Sequence, residues 1–277
     1  MVEKSTLKKL FERSYIVIAL VLLYTPIFLM IVFSFFNTSS FSFSKGMSFN
    51  AYIQLFTSSN ASTLGQAFKN TLLIAAISSV TATILGSFAS IGIFAMSKRS
   101  RKIVENVNQL PVINSEIVIA VALMLFFITF RFPDGYTRLL LGHISFCTPY
   151  VVLSVMPRLM QMDSNIYEAA LDLGAKPLRA IVSVIIPIIL PGILSGFAMA
   201  FTISVDDFII TQLNKGTTSG IETLSTYIYS SQHTAGGLKP YWFAAFSIII
   251  VVVVGALLLI NLRRYKKTPS KRAENSR

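Results

Sequence analysis

Charge is scarce in this sequence. Of 277 residues only 13% are Asp, Glu, Lys or Arg, where a soluble domain carries about a quarter. Hydrophobic residues make up 53%, and the mean hydropathy is +0.67. These values exclude both an ordinary soluble domain and a disordered chain. Cysteine occurs once, as Cys147, so no internal disulfide and no cysteine-based zinc site can form. The two histidines, His143 and His233, stand far apart and make no local ligand motif, so no metal or other cofactor is expected. The sequence has no His-Glu-x-x-His and no Gly-x-Ser-x-Gly. The chain is therefore not expected to be an enzyme, because the common zinc and serine hydrolase constellations are missing.

The remaining charges are clustered. None occurs between Arg13 and Lys45, Lys69 and Lys98, Arg138 and Arg158, Arg179 and Asp206, or Lys239 and Arg263. A further apolar stretch from Val107 to Phe130 is interrupted only by Glu116. A bilayer core needs about 20 mostly apolar residues as helix, and helix closes every backbone hydrogen bond within the segment. The expected fold class is therefore an all-α polytopic membrane protein with six transmembrane helices, at about 15–36, 70–96, 110–130, 139–159, 182–210 and 241–262. The first span has a basic lead (Lys4, Lys8, Lys9, Arg13) like that of a signal peptide. Its apolar part is too long for one and no small-residue cleavage site follows, so it reads as a retained anchor.

Net charge is +12, which in a soluble protein would suggest nucleic acid. Here its distribution is topological. The N-terminus, the 97–109 loop, the 158–181 loop and the C-terminal tail hold four, four, three and seven of the 24 Lys and Arg residues, and the other three connections hold two each. The positive-inside rule then puts both termini in the cytoplasm of a cell-membrane protein. Residues 1–14 form a cytoplasmic N-terminal segment, 15–262 the membrane domain, and 263–277 a basic cytoplasmic tail. Arg263, Arg264, Lys266 and Lys267 face anionic headgroups of the lipid bilayer.

The connection between the fourth and fifth spans carries the most specific signal. It runs Met162-Asp-Ser-Asn-Ile-Tyr-Glu-Ala-Ala-Leu-Asp-Leu-Gly-Ala-Lys-Pro-Leu-Arg-Ala-Ile. Asp163, Ser164 and Asn165 are N-cap residues. With Asn165 as cap, Glu168 falls at the third helical position and can reach back to the cap amide. Ile166, Ala169, Ala170 and Leu173 form a small apolar stripe, Gly174 suits a left-handed stop, and Pro177 suits the first turn of a second helix. Two short helices over about 163–180 follow, and a helix this short needs a surface to pack on.

Glu168-Ala169-Ala170, Gly174 four residues after Ala170, and Pro187 thirteen residues after Gly174 resemble the Glu-Ala-Ala loop of ABC importer permeases, with Val184 and Ile186 at its two aliphatic positions. The resemblance implies the type I importer permease fold. It also implies a coupling role for Glu168, Ala169, Ala170, Gly174 and Pro187, whose loop would dock on a cytoplasmic ATP-binding subunit. Further implied partners are a second permease subunit and an extracellular or periplasmic substrate-binding protein. The chain lacks a Gly-x-x-x-x-Gly-Lys-Ser/Thr loop, so another polypeptide must supply the ATP site. An ion-coupled transporter acting alone would not need this double helix.

Three further segments resemble permeases of polyamine (spermidine and putrescine) importers: Ser34-Phe35-Phe36-Asn37, Ser115-Glu116-Ile117-Val118 and Ser204-Val205-Asp206-Asp207-Phe208. Permeases for iron(III), thiamine or sulfate share parts of this layout. A polycation needs carboxylates and aromatic faces along its path, and acids within spans turn towards an interior or a water-filled route. The candidates are Asp207, Asp206 and Glu116. If Pro111 starts the third helix, Glu116 lies about 8 Å inside the cytoplasmic end, and Asp207 lies about 30 Å beyond Pro187 near the outer mouth. Gly192, Gly196, Ala200 and Ser204 form a small-residue stripe that serves close packing or a path. Continued as a helix, the stripe would hold Asp207 at its centre and Asp206 to one side. His143 reads as a packed or interfacial histidine, Tyr241 and Trp242 as interfacial belt residues, and 211–240 as a gate, a docking surface or a plain loop.

Overall fold

The computed structural model describes residues 2–36, 46–57, 61–163, 165–216, 219–235, 241–248, 250–251 and 255. Asn37, Ser164, Gly236, Gly237, half of the sixth expected span and the 263–277 tail lie outside these. The described chain is helical: α1 (Val2–Phe33), α2 (Asn50–Thr57), α3 (Ala61–Ala95), α4 (Lys98–Ile113), α5 (Glu116–Thr129), α6 (Tyr136–Gln161), α7 (Asn165–Asp172), α8 (Pro177–Ala180), a π-helical turn (Ile181–Ile185), α9 (Ile186–Asp206), α10 (Ile209–Asn214) and α11 (Leu224–Ala235). Residues 241–248 begin a further helix. Among the described residues the only β pairing outside helices is one bridge, Phe36 with Met47.

Four described segments are long and apolar enough to span a bilayer: Ser14–Phe33, Ser62–Ala95, Tyr136–Gln161 and Pro177–Asp206. The expected third span is not one helix. α4 and α5 meet at a bend of 104°, because Asn114 and Ser115 both take extended backbone angles. Pro111 lies inside α4 rather than opening the next helix. It has no N–H for the Val107 carbonyl, which weakens the last turn, and Asn and Ser favour helix ends over interiors. The fifth span also differs from expectation. It ends at Asp206, and near its start it passes through the π turn, where the Ile186 N–H bonds to the Ile181 carbonyl. Pro187 explains the wide turn, since it has no N–H to give the Ser183 carbonyl one α-turn back.

The chain divides into two units, residues 1–62 with 230–277, and residues 63–229. In the first, Phe35 packs edge-on against Phe49 at 5.8 Å and beside Tyr52 at 5.5 Å. The Tyr52 hydroxyl meets Ser34 Oγ at 2.8 Å and donates to Ser247 Oγ at 3.4 Å. Tyr241 and Trp242 are buried, with rings 5.1 Å apart, so they are packing residues rather than a lipid-facing belt. Only 6% of the most apolar stretch of α1 is buried, against 56% for α6. α1 thus leaves its apolar surface for lipid or another subunit.

The second unit is built around α6. It runs antiparallel to α9 in a seam stepped four residues at a time. His143 meets Ser204, the Cys147 thiol points to the Ala200 carbonyl at 3.5 Å, Val151 lies against Gly196, and Val155 against Gly192. A Cβ at Gly196 would stand 3.1 Å from Val151 Cγ1, and one at Gly192 would stand 3.1 Å from the Ser154 carbonyl oxygen. The small-residue stripe of α9 is buried in this seam. It serves close helix packing, where small residues let backbones approach.

Candidate functional site

α9 stops because Asp207 leaves helical geometry, with φ −60° and ψ 132°. The chain turns there and starts α10 two residues later. Asp207 caps this restart. Its Oδ1 accepts from the Ile210 N–H at 3.1 Å, and its Oδ2 accepts from the Thr211 N–H at 2.9 Å and from Thr211 Oγ1 at 2.7 Å. Such a bond from an acid to freed amides is the usual way a helix start is satisfied.

His143 of α6 lies under this elbow, only 1% exposed. Its Nδ1 is 2.8 Å from Ser204 Oγ, its Nε2 is 3.1 Å from Thr211 Oγ1, and Nε2 lies 3.4 Å from Asp207 Oδ2. Thr211 donates its hydroxyl proton to Asp207 and must accept from the imidazole. The network therefore closes with the ring proton on Nε2 and with Ser204 donating to Nδ1. Every polar atom in this buried cluster then has a partner, as burial requires. His143 is seven residues from the start of α6, about 10 Å along the helix axis.

The three sequence-predicted acids converge here. The Glu116 carboxyl lies against that of Asp207 and near that of Asp206. Asp207 is buried, Glu116 half-buried and Asp206 exposed. The expectation that Glu116 and Asp207 occupy opposite ends of the membrane is thus corrected. α5 begins at Glu116 and runs beside α10, where Asn214 Nδ2 donates to the Ala120 carbonyl at 3.2 Å. Distances counted along a straight helix from Pro111 do not survive the bend before Glu116. Tyr150 of α6 is close to Glu116 and packs edge-on with Phe146, rings 5.6 Å apart.

Ser204 was already placed beside Asp207 by the small-residue stripe, whereas His143, Thr211 and Tyr150 join the site only through the fold. A usable signal was present in Asp207 itself, since an Asp ahead of a helix start can accept from its first free amides. The 211–240 connection is not a plain loop either, since it contains α10 and α11. It is tied down by Asn70 Nδ2 donating to the Glu222 carbonyl at 2.9 Å, the Leu224 N–H donating to Thr71 Oγ1 at 2.8 Å, and Lys215 pairing with Glu222 at 3.4 Å.

The 163–180 segment forms one separate short helix, α7, as expected, but the expected second one, α8, runs on through the π turn into α9 as a single segment, Pro177–Asp206. The cap of α7 differs, because Asp163 Oδ1 accepts from the Asn165 N–H at 3.0 Å and Asn165 is already helical. Gly174 has φ +83°. Its N–H bonds to the Leu171 carbonyl at 2.8 Å, and the Ala175 N–H bonds to the Ala170 carbonyl at 3.1 Å. This is the full Schellman stop, which favours glycine at the left-handed position. Pro177 opens α8. Tyr167 faces the core cluster around α6 and α9, which turns the rest of the helix outward. Glu168 and Ala169 are exposed and Ala170 is partly covered. Ile166, Leu173 and Leu178 are exposed by 39%, 90% and 77%. Pro187, at the second position of α9, is exposed.

Comparison with known proteins gives a consistent picture. Residues 82–266 match the family model described as binding-protein-dependent transport system inner membrane component. The chain is 33% identical over 252 residues to the spermidine/putrescine transport system permease protein PotC of Haemophilus influenzae, covering 91% of this chain and 95% of that one. It is 30% identical over 247 residues to PotC of Escherichia coli K12, covering 89% and 90%. A solved bacterial alginate ABC transporter, in complex with an alginate pentasaccharide-bound periplasmic protein, includes a chain of similar fold. Its TM-score is 0.70 at 20% identity, over 96% of this chain and 97% of that one.

Proposed function

The chain belongs to the family of binding-protein-dependent transport system inner membrane components, the permeases of ABC importers, and from that premise we propose that it carries polyamines of the spermidine and putrescine class. It is a multi-pass membrane protein and not itself an enzyme. A permease of this kind works with ATP-binding subunits, a further permease subunit and a substrate-binding protein. The observation that carries the polyamine reading is the meeting of Glu116, Asp206 and Asp207 in a domain poor in charge. Acids held together in a membrane protein are costly unless a cation or water answers them. Tyr150 beside Glu116 supplies an aromatic face for an ammonium group. The relatives' names, spermidine/putrescine permeases at 30–33% identity, support the same substrate class.

In this reading α7 and α8 are the coupling element, with Glu168, Ala169 and Ala170 at the docking face and Gly174 setting its turn. Both termini lie in the cytoplasm, as the Lys and Arg distribution supports. Closure of the ATP-binding subunits moves the α7–α8 pair. The π turn and Pro187 pass that movement into α9, whose far end carries Asp206 and Asp207. The helices act as rigid parts with two arrangements.

The test is ATP-driven uptake in proteoliposomes holding the complete transporter, with its binding protein outside. Spermidine should accumulate, and excess putrescine should suppress it while iron(III) and thiamine do not. Accumulation of thiamine or iron(III) that polyamines fail to suppress would overturn the substrate assignment.

A further inference from the structure

The four polar residues at the α9–α10 elbow divide the three acids into two kinds. Asp207 is 4% exposed, and both its oxygens already accept from the Ile210 and Thr211 amides and the Thr211 hydroxyl, with the Glu116 carboxyl lying against them. An ammonium group reaching Asp207 would have to displace its cap. Glu116 is half-buried and Asp206 is exposed, so they can meet a cation without breaking the elbow. His143 contacts all three parts of that elbow: Ser204 before the break, Asp207 in it, and Thr211 after it.

We propose that His143 is a positioning residue: with Ser204 and Thr211 it latches the break between α9 and α10, commits Asp207 to the cap, and so holds Glu116 and Asp206 as the carboxylates that meet the polycation. The proposal rests on the polyamine-path reading above. It differs from that reading in removing Asp207 from direct contact with substrate.

The latch acts through geometry. Nε2–H supports the Thr211 hydroxyl, which in turn donates to Asp207, and Nδ1 holds Ser204 in the last turn of α9. An apolar residue at 143 would leave the Ser204 and Thr211 hydroxyls without this partner in a buried space, which is a real cost. A glutamine can both donate and accept and can restore part of the chain. Molecules with an open latch carry nothing, so the loss falls on maximal rate and is equal for all substrates. Removing a carboxylate that touches the cation acts on binding, and its effect grows with the number of positive charges on the substrate.

The experiment is initial uptake against concentration in the complete transporter in proteoliposomes, with spermidine and putrescine as probes. Glu116→Gln and Asp206→Asn should each raise KM about tenfold, the value of a charge-assisted hydrogen bond, and more for the trication than for the dication. His143→Leu should lower the maximal rate about tenfold for both substrates alike, and His143→Gln should recover most of it. The double variant His143→Leu with Asp207→Asn should be no worse than Asp207→Asn alone, while His143→Leu and Glu116→Gln should multiply. A charge-graded rise in KM for Asp207→Asn, multiplying with His143→Leu, would overturn the latch and leave the polyamine reading intact. Charge-independent effects of Glu116→Gln and Asp206→Asn would overturn the polyamine path, while the His143–Asp207 pair would still report on the latch through its non-additivity.

Discussion

The α6–α9 seam and the α7–α8 hairpin adjoin in the chain and treat their surfaces in opposite ways. The seam closes on itself: glycines at 192 and 196 let α6 approach, and His143, Ser204, Asp207 and Thr211 satisfy one another in its buried end. The hairpin is finished in its backbone but open in its side chains. Its cap at Asp163 and its stop at Gly174 are complete, yet Leu173 and Leu178 face outward by 90% and 77%. A helix this short draws little stability from propensity, and its turn chemistry keeps it shaped while it waits for a partner. On the proposed reading, the contrast separates a self-contained scaffold from a surface that a motor subunit would complete.

The largest effect should come from breaking the seam. Gly196→Leu drives a side chain into Val151, whose Cα stands 3.3 Å from the new Cβ. Overpacking of this kind costs about 1–3 kcal/mol or more. The folded permease should then be depleted from the membrane and its thermal midpoint should fall, both measurable on the detergent-extracted complex. An unchanged midpoint would mean that the seam is looser than described.

An intermediate effect is expected at the hairpin turn. Gly174→Val places a β-branched residue at φ +83°, a left-handed conformation that costs an ordinary residue about 1–2 kcal/mol. The hairpin is small and lies outside the main core, so the permease should still accumulate. ATP-driven uptake should fall for every substrate, because the docking element is misdirected. Uptake at the wild-type rate with the valine in place would remove the turn from the coupling path.

The smallest structural effect, with a sharp functional one, should come from Leu173→Asp. The side chain is almost wholly exposed, so stability should change by no more than about 0.5 kcal/mol. If it is a docking anchor, its loss should weaken association with the ATP-binding subunit by about 2 kcal/mol or more. Co-purification of that subunit measures the difference directly.

Much of this was legible in the sequence because its causes are local or additive. Charge-free runs mark spans, since burying a charge in lipid is costly over any stretch of chain. Gly174 and Pro177 could be placed because a helix stop and a helix start depend on a few neighbouring residues. The bend between α4 and α5 was not legible, because hydropathy reports how apolar 110–130 is and says nothing about its direction. The meeting of Glu116 with Asp207 followed from that bend and from the pairing of α5 with α10, which no local pattern encodes. Asp207 was singled out by continuing α9 as a helix. It does lie on the buried side, but as the cap of the next helix.

Photocrosslinking from position 173 in native membrane vesicles asks whether the exposed α7–α8 segment of this permease is moved by a separate ATP-hydrolysing protein. A probe introduced at Leu173 should capture the ATP-binding subunit, and the yield should change when a non-hydrolysable nucleotide is added. Capture of lipid alone, with the complex otherwise assembled and active, would contradict it.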